Sequence, residues 1–225
     1  MNKSWIANGF TAANALFGGL SIMMSISGEY HVAAICILIA MAADAFDGRV
    51  ARALGTAGPM GVELDSLSDD ISFGVAAGAL MYSYQLRELG ALGFIPCALL
   101  GAFCAFRLAR FNVKVTFVHG YFEGLPCPTV GVIIACYVLS GVKIWNWLAM
   151  VCVLVLAVLM VSEVQLHLPA FLFCLGFFIL CAMIYWPSWA AALCAAYIMF
   201  GIVNTYLNRR KKFHRKLKRR VKEEF

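Results

Sequence analysis

Apolar residues fill this chain in long blocks broken by short polar clusters. That pattern differs from the alternation of a half-buried strand and from the one-sided stripe of a surface helix. A block of roughly 20 apolar residues is long enough for a helix to cross the hydrocarbon core of a bilayer. Blocks of that kind fall at about 8–27, 31–54, 66–86, 91–112, 126–142, 145–163, 170–186 and 189–207. Backbone groups inside a bilayer must be satisfied within their own segment or in a closed barrel, and continuous apolar runs select the helix. The pattern therefore predicts an all-α fold, a polytopic transmembrane helical bundle of six to eight spans, best counted as eight. The fifth block is short, and 162–169 reads equally as helix end or connection.

Composition rules out a soluble domain of this size: 63% of the 225 residues are hydrophobic, 13% are charged, and mean hydropathy is +0.84. The net charge of +6 comes from the end of the chain, where 209–225 (RRKKFHRKLKRRVKEEF) holds ten basic residues against two acidic ones. Two parts follow, a transmembrane domain over 1–208 and a basic tail over 209–225 that suits anionic lipid headgroups better than nucleic acid. With the N-terminus inside, Lys3, Arg49, Arg52, Arg107, Arg110, Lys114 and the tail share the cytoplasmic side, and only Arg87 and Lys143 fall opposite. The first apolar block has no convincing cleavage site and is expected to stay as a span of a cell-membrane protein. Nine cysteines without a C-x-x-C pair read as small apolar residues. Trp5, Trp145, Trp147, Trp186 and Trp189 sit near block ends, where interfacial aromatics belong.

Against this background four aspartates stand out, Asp44 with Asp47 and Asp65 with Asp69. Residues three or four apart on a helix share a face, so each pair converges its carboxylates, and two such helices side by side bring all four together. Each aspartate in an apolar setting costs about 2.5–3.5 kcal/mol on insertion scales, so cations are needed to offset the cluster. Oxygen-only donors favour Mg²⁺, Mn²⁺ or Ca²⁺. Gly48, Ala51 and Arg52 lie on the face of Asp44 and Asp47, making a shallow trough beside a guanidinium that can fork onto a phosphate. On the next helix Gly61, Asp65, Asp69 and Ser72 share a face. Gly55, Gly58 and Pro59 mark the intervening stretch, 54–60, as a loop.

These residues follow D-x-x-D-G-x-x-A-R-x8-G-x3-D-x3-D at every fixed position from Asp44 to Asp69, and the chain thereby resembles the CDP-alcohol phosphotransferases. The resemblance implies that Asp44, Asp47, Asp65 and Asp69 hold divalent metal and that Gly48, Ala51, Arg52 and Gly61, with Asp65, line the site of the cytidine diphosphate. It also implies that Asp69 serves as general base and that the protein is a homodimer. By charge count, four carboxylates suit two ions of Mg²⁺ or Mn²⁺ better than one.

The acceptor alcohol has to be read elsewhere. Asn8, Thr11 and Asn14, the run Arg107-Leu108-Ala109-Arg110-Phe111-Asn112, the stretch Phe122-Glu123-Gly124-Leu125-Pro126-Cys127-Pro128 and DSLSDDISFG from Asp65 are similar to the membrane-embedded phosphatidylserine synthase branch. That likeness covers about 1–130 and implies transfer from CDP-diacylglycerol to L-serine. Arg107 and Arg110 are the candidates for holding the serine carboxylate, or else are inside anchors or counter-charges to the aspartates. Thr11 and Asn14 are read either as contacts to the diphosphate or as helix-packing polars. The 124–128 segment is a rigid helix entry or part of the acceptor pocket. Asp70 points away from the metal face and is expected to pair with a basic residue, whereas Glu63 and His119 are expected in water. Glycerol phosphate, inositol, inositol phosphate or an archaeal lipid donor are alternatives within the same chemistry. A divalent-cation transporter is the alternative of another class, but no acids continue the path across the membrane.

Overall fold

The structure, a computed structural model, describes residues 4–55, 58–113, 122–123, 125–162 and 165–166. The described residues form a bundle of helices: α1 (Ser4–Ile26), α2 (Tyr30–Leu54), α3 (Pro59–Asp69), α4 (Ala76–Tyr84), α5 (Ala91–Val113), α6 (Cys127–Leu139) and α7 (Asn146–Val161). Three stretches, Asn8–Ile26, Tyr30–Leu54 and Ala91–Val113, are long and apolar enough to cross a membrane, while α6 and α7 are apolar but shorter. The last two apolar blocks, 170–186 and 189–207, and the basic tail lie outside the described residues.

Local chemistry sets the helix ends. Gly28 makes the turn between α1 and α2 at φ +85°, a backbone region that costs glycine nothing. Gly55, at φ +65°, closes α2 by turning its N–H back onto Ala51 and Arg52. Pro59 then opens α3 at the position where its missing N–H is not needed. The third helix therefore starts well before the apolar block expected at 66, because its first turns carry the polar and acidic residues that hydropathy passes over. The other departure from an all-helical reading is a two-residue antiparallel bridge, β1 (Phe122–Glu123) with β2 (Gln165–Leu166).

Between α3 and α4 the helix does not stop but widens into a π turn over Asp70–Val75. This turn is the packing centre of the described bundle. Ser72, Phe73 and Gly74 are buried, and a glycine from each of three neighbours makes room for them. A Cβ on Gly18 of α1 would meet the backbone of Ser72, one on Gly131 of α6 would meet Phe73, and Gly101 of α5 packs on Val75 and Gly74. Close backbone approach at small residues is how helices associate where lipid offers no hydrophobic driving force between them. Ser72 adds a hydrogen bond from Oγ to the carbonyl of Asn14, 2.9 Å, which ties the π turn to α1.

The opposite end of the third helix is closed by a polar knot. Gln85 donates from Nε2 to the carbonyl of Ile144 (2.6 Å) and to Oδ1 of Asn146 (2.9 Å), and accepts from the hydroxyl of Tyr137. The N–H of Ile144 donates to Tyr137 Oη (3.0 Å), and Asn146 Nδ2 donates to Glu88 (2.6 Å). Tyr84 stacks edgewise on Tyr30 and Tyr137 and carries the Lys143 ammonium 4.9 Å from its ring centre. This staples the ends of α4, α6 and α7 together, far along the third helix from Asp65.

The two adjacent glycines of α1 give a matched test. Gly18→Ala should destabilise the protein by about 1–3 kcal/mol by overpacking. Gly19→Ala, whose Cβ would meet nothing within 4 Å, should be neutral or slightly stabilising. Equal unfolding midpoints for the two variants in detergent micelles would contradict the close α1–π turn contact.

Candidate active site at the ends of the second and third helices

Asp44 and Asp47 lie three apart near the C-terminal end of α2, and Asp65 and Asp69 four apart in α3, so the helical spacing turns both pairs into one space. Ligand oxygens of Asp44, Asp47 and Asp65 all fall within 4.8 Å of one another. Asp44 is also within hydrogen-bond reach of Asp69, so the fourth carboxylate adjoins the other three without joining the tightest group. At an effective dielectric of about 20, two carboxylates 4.8 Å apart repel by about 3.5 kcal/mol.

The first helix supplies the donors that hold the acids. Thr11 Oγ1 donates to Asp47 Oδ2 at 2.8 Å, and Asn14 Nδ2 donates to Asp69 Oδ1 at 3.1 Å. Thr11, Asn14, Asp47 and Asp69 are all buried. The two α1 polars expected at the diphosphate thus have aspartates as partners. They do not act as helix glue alone either, since each orients a carboxylate of the site. Asp65 Oδ1 is buried and takes no protein donor, as is Asn14 Oδ1. An acidic site with an orphan carboxylate oxygen and no softer donor in the cluster fits a hard divalent cation.

The trough beside the acids is open. A Cβ on Gly48 would meet nothing within 4 Å, and one on Gly61 would only approach Asn8 Oδ1 at 3.9 Å. Unlike Gly18 or Gly131, these glycines make no room for a helix. Arg52, exposed, spends its Nε on the Gly48 carbonyl at 2.9 Å. The terminal nitrogens of the fork take no hydrogen bond among the described residues. Ala51 is half-buried one turn from Asp47.

On the far side of Asp69 stand α5 and α6. The two arginines expected to act together are separated here. Arg107 is buried and donates from Nη1 to Cys127 Sγ at 3.5 Å, with Nε unpartnered. Arg110 instead donates from Nη1 to the carbonyl of Val161 at 2.9 Å and caps the C-terminus of α7. Cys127, at the start of α6, adjoins Arg107, Asp69 and the thiol of Cys104. It is more than a space-filling cysteine, and only the neighbouring proline-rich segment hinted at its place. That segment works as a helix entry, with Pro126 preceding α6 and the Leu125 N–H held by the Leu159 carbonyl at 3.1 Å.

Asp70 behaves differently from expectation. Its neighbour is the Cys104 thiol, its Oδ1 has no partner, and no basic residue pairs with it among the described residues. The π turn that begins at Asp70 swings it against α5, which a regular helical wheel does not anticipate. The wheel also missed the link from Asn112 Nδ2 to Ser66 Oγ, 3.0 Å, which ties α5 to α3. Glu63 is exposed as expected, and His119 lies outside the described residues.

Comparison with known proteins agrees with this geometry. Residues 4–161 match the family described as CDP-alcohol phosphatidyltransferase. A CDP-diacylglycerol–serine O-phosphatidyltransferase of Helicobacter pylori is 35% identical over 165 residues, 70% of this chain and 70% of its own length. One of the same name from Methanocaldococcus jannaschii is 30% identical over 203 residues, 88% of this chain and 92% of its own. An archaetidylserine synthase of Methanothermobacter thermautotrophicus is 38% identical over 159 residues, 68% of this chain and 65% of its own.

The geometry orders a set of variants by metal affinity. Asp44→Asn, Asp47→Asn and Asp65→Asn should each abolish the stabilisation that Mn²⁺ gives against thermal unfolding. Thr11→Val, which removes only a supporting donor, should weaken Mn²⁺ roughly tenfold. Full Mn²⁺ protection in all three Asn variants would show that these acids do not share an ion.

Proposed function

The chain belongs to the CDP-alcohol phosphatidyltransferase family, and we propose that it moves the phosphatidyl group of CDP-diacylglycerol onto the hydroxyl of L-serine, releasing CMP. One observation carries this reading: three carboxylates converge while a fourth, Asp69, stands beside them with one oxygen already held by Asn14. A hydroxyl is a poor nucleophile at neutral pH, so a positioned base has to take its proton as it attacks. The hydrogen bond from Asn14 to Oδ1 orients the Asp69 carboxylate for that role. The serine oxygen forms a bond to the phosphorus that bears the diacylglycerol, the bond from that phosphorus to the CMP oxygen breaks, and the proton passes to Asp69. Mg²⁺ or Mn²⁺, as two ions held by Asp44, Asp47, Asp65 and Asp69, would neutralise charge on the diphosphate.

The donor lies along the open trough. Gly48, Ala51 and Gly61 leave space for the cytidine diphosphate, and the unspent nitrogens of Arg52 suit a phosphate. Asp65 and the α1 polars Thr11 and Asn14 border the same space. The lipid tails remain between helices, and the bias of basic residues toward the site's side of the membrane supports a cytoplasmic-facing site. Relatives whose names specify two different lipids share serine in those names, which supports the acceptor more firmly than the lipid.

Purified protein supplied with CDP-diacylglycerol and Mn²⁺ should release CMP with L-serine and much more slowly with inositol or glycerol phosphate. CMP release that ignores serine and follows another alcohol would overturn the acceptor. Asp69→Asn should lower turnover by about 10²–10⁴-fold with donor binding retained, and near-parent turnover would remove the base. Arg52→Lys keeps the charge but loses the planar fork, so it should raise the KM for CDP-diacylglycerol about tenfold, equivalent to about 1.4 kcal/mol. A rise confined to the serine KM would move Arg52 to the acceptor side.

A further inference from the structure

Two cysteines meet beside Asp69, and the transfer chemistry uses neither. Cys104, on α5, and Cys127, which opens α6, are fully buried, and their thiols are within hydrogen-bond reach of each other. Cys127 Sγ also takes the hydrogen bond from Arg107 Nη1 at 3.5 Å and adjoins Asp69. The helices α5 and α6 each pack on the π turn more than on one another, and the thiol pair belongs to the little direct contact between them. Cys104 is pressed against that turn: a Cβ on Gly74 would come within 2.8 Å of Cys104 Cβ and 2.7 Å of Asp70 Oδ1. A covalent S–S bond, about 2.05 Å long, is far shorter than a thiol contact. Closing one here therefore draws Cys127 Sγ off Arg107 and toward the fixed Cys104.

We propose that Cys104 and Cys127 form a dithiol modification site, which a hydroperoxide oxidises to a disulfide that ties α5 to α6 and stops phosphatidyl transfer. In the first step the Cys127 sulfur takes one peroxide oxygen, the O–O bond breaks, and a sulfenic acid forms as the other oxygen leaves in water or an alcohol. In the second the Cys104 sulfur attacks the sulfenic sulfur, and the thiol proton leaves with the hydroxyl as water. The two sulfurs together lose two electrons, and the peroxide gains them. Arg107, whose Nε already has no partner, then loses the thiol at Nη1 and is left uncompensated near the base. The inference rests on the phosphatidyl-transfer reading in one respect: a site that brings a hydroxyl to Asp69 also admits a molecule as small as hydrogen peroxide to the adjoining thiol. On a cytoplasmic face such a disulfide is transient, because glutathione and thioredoxin return it to thiols.

The test treats full-length protein in detergent micelles with hydrogen peroxide, blocks the remaining thiols with N-ethylmaleimide after denaturation, and maps the digest by mass spectrometry. The parent should yield a Cys104–Cys127 peptide pair two hydrogens lighter than its reduced parts. CMP release should fall at least fivefold, and dithiothreitol should restore both thiols and bring the rate back within twofold. Cys104→Ser should keep its untreated rate within twofold and form no cross-link. Its Cys127 sulfenic acid has no thiol to resolve it, so dimedone should label Cys127 at least fivefold more than in the parent. Where Cys104→Ser fails to fold, the peptide map of the parent decides alone. Both cysteines carrying N-ethylmaleimide in peroxide-inhibited parent would overturn the site, and a cross-linked protein with undiminished CMP release would overturn its effect on transfer. Reduced parent that releases no CMP with serine would refute the phosphatidyl-transfer reading itself, since the cross-link is read by mass and needs no turnover.

Discussion

Mutual repulsion of carboxylates in an apolar bundle is the constraint on which the rest of the structure turns. Three acids within 4.8 Å of one another, with a fourth alongside, cannot be held by α2 and α3 alone. The first helix answers part of the problem by placing Thr11 on Asp47 and Asn14 on Asp69, and the remainder is repulsion that a bound divalent cation would offset. Thr11 reaches Asp47 because α1 packs along α2, and Asn14 reaches Asp69 because α1 also lies close against the third helix. The glycine at 18, which admits Ser72 three residues beyond Asp69, is in this sense part of the site although it carries no ligand atom.

Glycines in this protein fall under two different demands. At 18, 78, 93 and 131 a side chain would run into a neighbouring helix or turn, so smallness there serves packing. At 48 there is open space, and smallness serves whatever approaches from outside. The arginines divide similarly. Arg110 satisfies a helix end within the fold, and Arg107 is left with an orphan nitrogen in the interior. In both cases residues of one type, close in the chain or alike in the motif, are told apart only by what surrounds them.

Much of this was legible in the sequence because it depended on helical periodicity. The pairing of Asp44 with Asp47 and Asp65 with Asp69, the turn at Gly55 and the start at Pro59 all follow from spacing and backbone preference. Partners across helices were not legible. Periodicity does not say that Thr11 faces Asp47 across 36 positions, or that a cysteine at 127 meets an arginine at 107. Asp70 was assigned the right direction, away from the metal face, and the wrong company, because a regular wheel cannot contain the π turn. Hydropathy likewise placed the start of the third helix late, since its acidic first turns look like loop to a scale that counts only apolar residues.

The π turn also sets a rule for change in this segment. The third helix consists of two stretches whose rotational phase is offset by the wider turn between them, the first presenting acids to α2, the second presenting small and apolar residues to α5 and α6. Phase along a helix is counted in residues, about 100° for each. Removing one residue between 70 and 75 would turn Asp65 and Asp69 away from Asp44 while leaving every side chain of the motif in place. The length of that stretch is therefore under stricter constraint than the identity of most residues within it, and an alignment gap there would matter more than a substitution.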